Sequence, residues 1–311
     1  MSEHKTLALF TSSVLFLFLL VCRCCPNGMF DFGGVCMLMV QMKSNYCVAH
    51  QYCESVSKET GLSLFMPGSN ASRITNYLPA GSFAFTGISK LLNRTATDIS
   101  AGWRYSDPGW SSAVTRPGDT IIQWDKSQTP LPAHTVGVVS SAGMKTSYQK
   151  NELVDYVFCE LSNYVKNPIT DPLLLNWPNG QNSVFIGDNL EAGCFDASTV
   201  LTLFDCCDTI LDNLPIAESV LQYIVIRVPN FGNLFEVNRN RRFAVDTCSP
   251  HSFHYNVRCF YFSCRSRQAC RAFYYQFETG KCWISLYVDS LLPSILSTTD
   301  GKWWRFGRPM W

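Results

Sequence analysis

The chain lacks a charge excess of either sign: 25 Lys and Arg stand against 24 Asp and Glu. A nucleic-acid binder carries a basic patch or stripe, so no nucleic-acid partner is expected. Histidine is scarce, with five in 311 residues, one of them His4 near the start. No Gly-x-Ser-x-Gly elbow is present to expose a serine nucleophile. Cys206-Cys207-Asp208 is not the C-x-x-C arrangement of a redox motif. His251 and His254 lie three residues apart, but no acidic or Cys partner stands at a helpful spacing, which favours solvated loop histidines over a metal site. These absences argue against an enzyme, and neither a metal nor a cofactor is expected.

Long apolar runs are also few. Leu7 to Val21 is the one run near spanning length, and at 15 residues it falls short of the ~20 that a membrane helix needs. With His4 and Lys5 before it and Cys22 and Cys24 after it, residues 1–24 read as a cleaved signal peptide. The alternative is an uncleaved single-pass anchor. The mature protein is expected to be secreted, with no stable membrane span. Fifteen cysteines fit that compartment, because an oxidising lumen turns thiols into cross-links. Cleavage after Cys24 leaves an odd number. Either cleavage falls earlier and Cys24 pairs, or one thiol, with Cys47 the suspect, stays free or links two chains into a dimer. Asn70-Ala-Ser72 and Asn93-Arg-Thr95 are glycosylation sequons in polar, loop-like surroundings.

Hydrophobic residues make up 47% and aromatics 14%, enough to fill the cores of two or three modules. The first module opens with Cys25 to Cys36, whose Asn-Gly and Gly-Gly pairs are tight-turn signals, and reads as a stapled hairpin. Ser44 to Gly61 places Tyr46, Ala49, Cys53 and Val56 at helical spacing, with Gly61 as the stop. Leu62 to Met66 is apolar and enters the core. Strands are expected at Phe83–Ile88, Thr135–Val139 and Val154–Glu160. Between them lies Gly102 to Trp124, in which a strand ending Trp103-x-Tyr105-Ser106-Asp107 leads into a Pro- and Gly-broken loop. Thr120–Trp124 reads as the return strand. This layout presents a surface and holds no His or Cys.

The order Cys25…Cys36, Ala49-x3-Cys53, Phe85-Thr-Gly87-Ile88, Trp103-x-Tyr105-Ser106-Asp107, Trp124 and Val157-Phe158-Cys159-Glu160 resembles a long-form C-type lectin-like domain over residues 25–161. The resemblance implies a double-loop α/β fold with bridges Cys25–Cys36 and Cys53–Cys159. In the chain-entropy model the second closure is worth roughly 4–5 kcal/mol. The sequence departs from the family where sugar chemistry resides. No cysteine stands between Cys53 and Cys159 to fasten the long loop. The family's calcium triplet after the Trp is reduced to Gln128, and its Trp-Asn-Asp is replaced around Tyr148-Gln149-Lys150-Asn151-Glu152. Calcium takes 6–8 oxygen ligands, so Lys150 argues against it and calcium is not expected. Trp124, Gln128, Asn151 and Glu152 remain ligand-binding candidates by other means.

Residues 162–178, rich in proline, read as a linker. Residues 179–231 are β-rich and faintly similar to a discoidin or fucolectin-type sandwich, on Gln181-Asn-Ser183, Phe195-Asp196, Cys207-Asp-Thr209 and a late strand. The other reading is a disulfide-bearing spacer, or the first part of the next module. Cys259-x4-Cys264-x5-Cys270-Arg-Ala-Phe273-Tyr-Tyr275 followed by Gly280-Lys-Cys282-Trp283 resembles an apple/PAN module over 232–306. That family lays a helix on a curved antiparallel sheet, which implies bridges Cys259–Cys282 and Cys264–Cys270 and places Phe273 and Tyr275 along the central strand. Cys194, Cys206, Cys207 and Cys248 are left for two further bridges, in three connectivities. Arg265, Arg267 and Arg271 follow on the expected helix, where an anionic glycan or an acidic protein patch could dock on guanidinium forks. The alternative is a solvated helix face. At least one Trp of Trp303-Trp304 is expected to pack.

The whole reads as α+β, multidomain and disulfide-rich. The expected function is extracellular, non-enzymatic recognition of glycans or glycoproteins, or protein–protein interaction on a lectin-like fold that has lost sugar chemistry.

Overall fold

Asn45 opens an α-helix, its side chain accepting from the Val48 backbone N–H at 2.9 Å. The helix, α1 (Tyr46–Thr60), ends at Gly61, whose φ of 71° suits a residue without a Cβ. Tyr46, Ala49, His50 and Cys53 are its buried side chains, the i, i+3, i+4, i+7 stripe of an amphipathic helix. The computed structural model describes residues 25–163 apart from 95–97, 111–112, 126, 128–130, 132 and 151–152. Beyond them it describes 174–175, 185–186, 189–195, 264, 267, 269–276, 281–294 and 303–308. The leading segment, the histidines at 251 and 254, and most of 179–231 lie outside these residues, as do Cys206, Cys207, Cys248 and Cys259.

The strands in chain order are β1 (Phe30–Asp31), β2 (Cys36–Ser44), β3 (Leu64–Phe65), β4 (Phe83–Ser89), β5 (Arg104–Tyr105), β6 (Val136–Ser140), β7 (Gly143–Ser147) and β8 (Val154–Leu161). They form one sheet in the order β1-β2-β8-β4-β6-β7, with β3 on β8 and β5 on β4. Val136–Ser140 is buried throughout, between β4 and the edge strand β7. The strand β7 was not expected from the sequence. Thr120–Trp124, expected as a return strand, is not one: Ile121 is exposed and only Trp124 makes an isolated bridge, to Met144.

After residue 163 come β9 (Leu174–Leu175), β10 (Phe185–Ile186), β11 (Cys194–Phe195), β12 (Cys270–Gln276), β13 (Lys281–Leu286), β14 (Leu292–Pro293) and β15 (Trp303–Gly307). A second sheet runs β11-β13-β12-β15-β9, with β12 at its centre and buried along its full length. The expected linker therefore supplies an edge strand, because its Leu174-Leu175 pairs with Phe306 and Gly307. The described part of 179–231 also pairs with the C-terminal strands: β11 joins this sheet on β13, and β10 forms a separate two-stranded parallel sheet with β14.

Four disulfides are closed, Cys25–Cys36, Cys53–Cys159, Cys264–Cys270 and Cys47–Cys194. The last corrects two expectations. Cys47 is neither free nor available to link two chains, and Cys194 pairs with none of Cys206, Cys207 and Cys248. The expected bridge Cys259–Cys282 is also corrected, since Cys282 is a buried free thiol opposite Tyr275 in the β12–β13 pair. Burial pushes that thiol well above its ordinary pKa.

One hydrophobic core joins the two sheets through α1. Tyr46, Ala49 and Cys53 pack in the same cluster as Phe85, Val138 and Val157 of the first sheet and Phe273, Tyr275 and Ile284 of the second. His50 stacks flat on Tyr287 at 5.0 Å, and the Tyr287 hydroxyl donates to Glu54 at 2.5 Å. The C-terminal sheet thus covers the outer face of the helix. Among the described residues, no helix is long and apolar enough to cross a membrane.

Candidate functional site

The segment from Lys90 to Thr135 leaves the first sheet between β4 and β6 as a long loop. No cysteine fastens it; backbone and ring contacts do. Lys90 N–H donates to Thr135 O at 2.8 Å and closes the neck. Farther out, Gly102 N–H donates to Thr115 O and Thr115 N–H to Trp103 O, each at 2.9 Å, while Trp103 N–H donates to the Thr115 hydroxyl. The Trp103 indole N–H is satisfied by Ile99 O at 2.5 Å. Trp103 is fully buried, with Trp124 tilted against it at 4.7 Å and the Lys90 ammonium 5.3 Å over its ring.

The loop root is polar and tightly fitted. Ser106 N–H donates to Gly87 O at 2.7 Å, and Ser106 Oγ to Met66 O at 3.2 Å. Asp107 accepts from the Ser69 N–H at 2.7 Å and from the Ser69 hydroxyl. A Cβ at Gly68 or Gly87 would stand 2.1 Å from Asp107 or 2.0 Å from Ser106, so both positions require glycine. Burial lifts the Asp107 carboxyl to about 6 against the pull of its Ser69 bonds. Glu160 is likewise lifted to about 7, by burial first and the Asp107 charge second. The pairing of Ser106 and Asp107 with these close glycines is why the stretch reads as a fold signature.

Beyond this root the loop presents apolar side chains to solvent. Trp110 is 55% exposed and Ile121 70%, with Val114 and Leu131 also exposed.

Of the residues expected to bind ligand, Trp124 is half-buried and serves the loop scaffold through Trp103. Gln128, Asn151, Glu152 and Arg265 lie outside the described residues. Arg267 is described: its carbonyl accepts from Cys270 N–H at 3.1 Å, and its charge helps to hold Glu54 of α1 below the usual carboxylate range. Desolvation of Glu54 opposes this, and the Lys58 and Tyr287 hydrogen bonds outweigh it. Arg271 corrects its expected place on a solvated helix face. It is buried on β12, and its guanidinium donates to Tyr105 O at 3.0 Å. Of the sequons, Asn70 donates its amide to Glu160 Oε1 at 2.7 Å, and Asn93 lies half-buried against Gly102.

The loop after β7 is clamped from outside the first sheet. The Glu191 carboxylate accepts from Lys150 N–H at 3.0 Å, Gln149 N–H at 3.3 Å and the Thr135 hydroxyl at 2.9 Å. The Gln149 amide exchanges bonds with Gly193 N–H and O at 2.8 and 3.0 Å, next to the Cys47–Cys194 bridge. Tyr148 to Lys150, where the sequence departs from the lectin pattern, therefore contacts its own chain. Among the described residues, no group of three or more His, Cys, Asp or Glu side chains is placed to hold a metal.

No protein-family model matches the chain, and no curated protein does. Several solved structures are similar to part of it. The C-type lectin CEL-I from Cucumaria echinata matches 45% of this chain and 99% of its own, at 15% identity and a TM-score of 0.32. The cow C-type carbohydrate-recognition domain of CD23, solved in the presence of an oligosaccharide, matches 46% of this chain and 100% of its own, at 11% identity and 0.32. The C-type lectin domain of murine dendritic cell inhibitory receptor 2, in complex with N-glycan, matches 45% and 100%, at 16% identity and 0.31.

Proposed function

We propose that the chain is a secreted, non-enzymatic recognition protein that binds glycans or glycoproteins through the long loop, without the calcium site usual in lectins of this kind. The observation that carries this reading is the contrast within the loop. Its root is locked by Trp103, Thr115, Ser106 and Asp107, while its outer part exposes Trp110, Val114, Ile121 and Leu131. A rigid base under exposed aromatic and aliphatic side chains suits recognition, because little ordering entropy is left to lose on binding. Lys150 and the Glu191 clamp support the absence of calcium, since they occupy the segment from which the family draws metal ligands. Glycosylation at Asn93, and the lectin-like and apple/PAN-like division of the chain, belong to the same reading.

A second reading, a protein-binding module, is favoured by the apolar character of the exposed loop residues. A glycan array run with calcium and again with chelator tests the first: binding that persists in chelator is expected. Chelator-sensitive binding to mannose- or galactose-type sugars overturns the loss of calcium. No glycan binding, with a protein recovered by affinity capture that Ile121→Ser abolishes, establishes the second reading.

A further inference from the structure

Residues 189–195 meet both limbs of the long loop's neck from outside the first sheet. They begin with a short 3-10 turn (Asn189–Glu191) and run into β11. Glu191 is buried, and all three of its oxygens accept hydrogen bonds. Its carboxylate accepts from the Thr135 hydroxyl at 2.9 Å, on the returning limb. From the loop after β7 it accepts the Lys150 and Gln149 N–H groups, at 3.0 and 3.3 Å. Its backbone carbonyl accepts from Arg94 Nη2 on the outgoing limb, and Arg94 Nε donates to Leu91 O at 3.0 Å. One residue thus joins three segments that no cysteine connects, since none stands between Cys53 and Cys159.

The neighbours of Glu191 fix it in that place. A Cβ at Gly193 would stand 2.4 Å from Ser290 Oγ and 3.7 Å from Leu91 Cδ1, so the chain is wedged between the neck and the C-terminal part. Cys194 is bonded to Cys47 of α1 and paired with Leu286 of β13. The returning limb carries part of the exposed apolar surface. His134 N–H donates to Leu131 O at 3.0 Å in the turn before Thr135, and Leu131 is exposed. His134 Nδ1 lies 2.9 Å from the Thr146 hydroxyl, and its ring stands edge-on to Tyr148 at 4.6 Å.

We infer, on the reading that the long loop binds, that Glu191 is a positioning residue for recognition. It fixes the returning limb, with Leu131, against the loop after β7, and through it the C-terminal part of the chain sets how the binding surface is presented. Hydrogen bonds to a carboxylate are stronger than those between neutral groups. A loop fixed before binding has less ordering entropy to lose, so loosening this limb weakens binding even where the sheets stay folded.

The test compares full-length wild type, Glu191→Ala, Glu191→Gln and Thr135→Val by hydrogen exchange and by binding to a glycan array in chelator. In Glu191→Ala, exchange is expected to speed up about tenfold at residues 131–135 and 147–150 and to stay unchanged in α1 and β12, while array binding weakens about tenfold. Glu191→Gln keeps one carbonyl oxygen and is expected to fall between wild type and Glu191→Ala. Thr135→Val removes one bond and is expected to speed exchange at 131–135 alone, a readout that stands even if the Glu191 variants fail to fold. Exchange at these segments equal to wild type, acceleration spread evenly to α1 and β12, or array binding kept at full strength despite local acceleration overturns the inference. A wild-type chain that binds no glycan overturns the glycan reading instead, and the exchange pattern alone then decides for or against Glu191.

Discussion

The first sheet and the C-terminal sheet differ in the charged side chains they bury. In the first, Asp107 at the root of the long loop and Glu160 on β8 are buried acids, each held by donors from a neighbouring segment. In the second, Arg271, Arg305 and Arg308 are buried bases that reach across to carbonyls and to Asp289. The acids keep protons more readily than free carboxyls do, whereas the arginines need partners. Of the basic set, Arg271 reaches across to the first sheet at Tyr105, while Arg305 and Arg308 bond to Asp289 and the Cys264 carbonyl within the C-terminal part. The outer part of the long loop, with Trp110 and Ile121 exposed, belongs to neither set, and it is the part proposed to meet a ligand.

The largest expected effect breaks the join between the two. Removing the Cys47–Cys194 bridge with Cys47→Ser and Cys194→Ser opens a closure of 147 residues, worth about 5 kcal/mol in the chain-entropy model. The denaturant midpoint is expected to fall sharply, and hydrogen exchange to speed up at residues 147–150 and 189–195. Asp289→Ala removes the carboxylate paired with the buried Arg305 and is expected to cost about 3–5 kcal/mol in denaturant unfolding.

The acidic side responds to pH in the direction set by its raised pKa values. Glu160 and Asp107 bind protons more tightly folded than unfolded, so their contribution is full below pH about 4 and is lost as pH rises through about 6 and 7. Stability measured by urea unfolding is expected to decline from pH 5 to pH 8, and Glu160→Gln to flatten that decline. Trp110→Ala, on the exposed loop, is expected to change stability by no more than about 0.5 kcal/mol while weakening ligand capture.

Much of the first sheet was legible because its signals are local. Asn45 and Gly61 bound α1, and β4, β6 and β8 are apolar runs between turn residues. The strand β7 escaped notice because Met144-Lys145-Thr146 alternates over too short a span, although Met144 and Thr146 are buried and Lys145 reaches Asp125. What could not be read is what depends on the second sheet. His50 is an ordinary polar residue until Tyr287 covers it; burial, then the Arg271 charge, lowers its pKa to about 3. Cys47 looked unpaired because its partner lies 147 residues away. Arg271, beside a cysteine pair, read as helical until the pairing of β12 with β13 and β15 placed it in the seam. The candidate site was half legible: the Trp103–Asp107 root is a sequence signature, whereas the exposure of Trp110 and Ile121 is a property of the folded loop.

The most direct test of the central claim is glycan-array binding by the wild-type chain and by a Trp110→Ala, Ile121→Ser variant, each in calcium and in chelator. The account predicts wild-type binding unchanged by chelator and lost in the variant. Wild-type binding that disappears in chelator, or survives the loop substitutions intact, contradicts it.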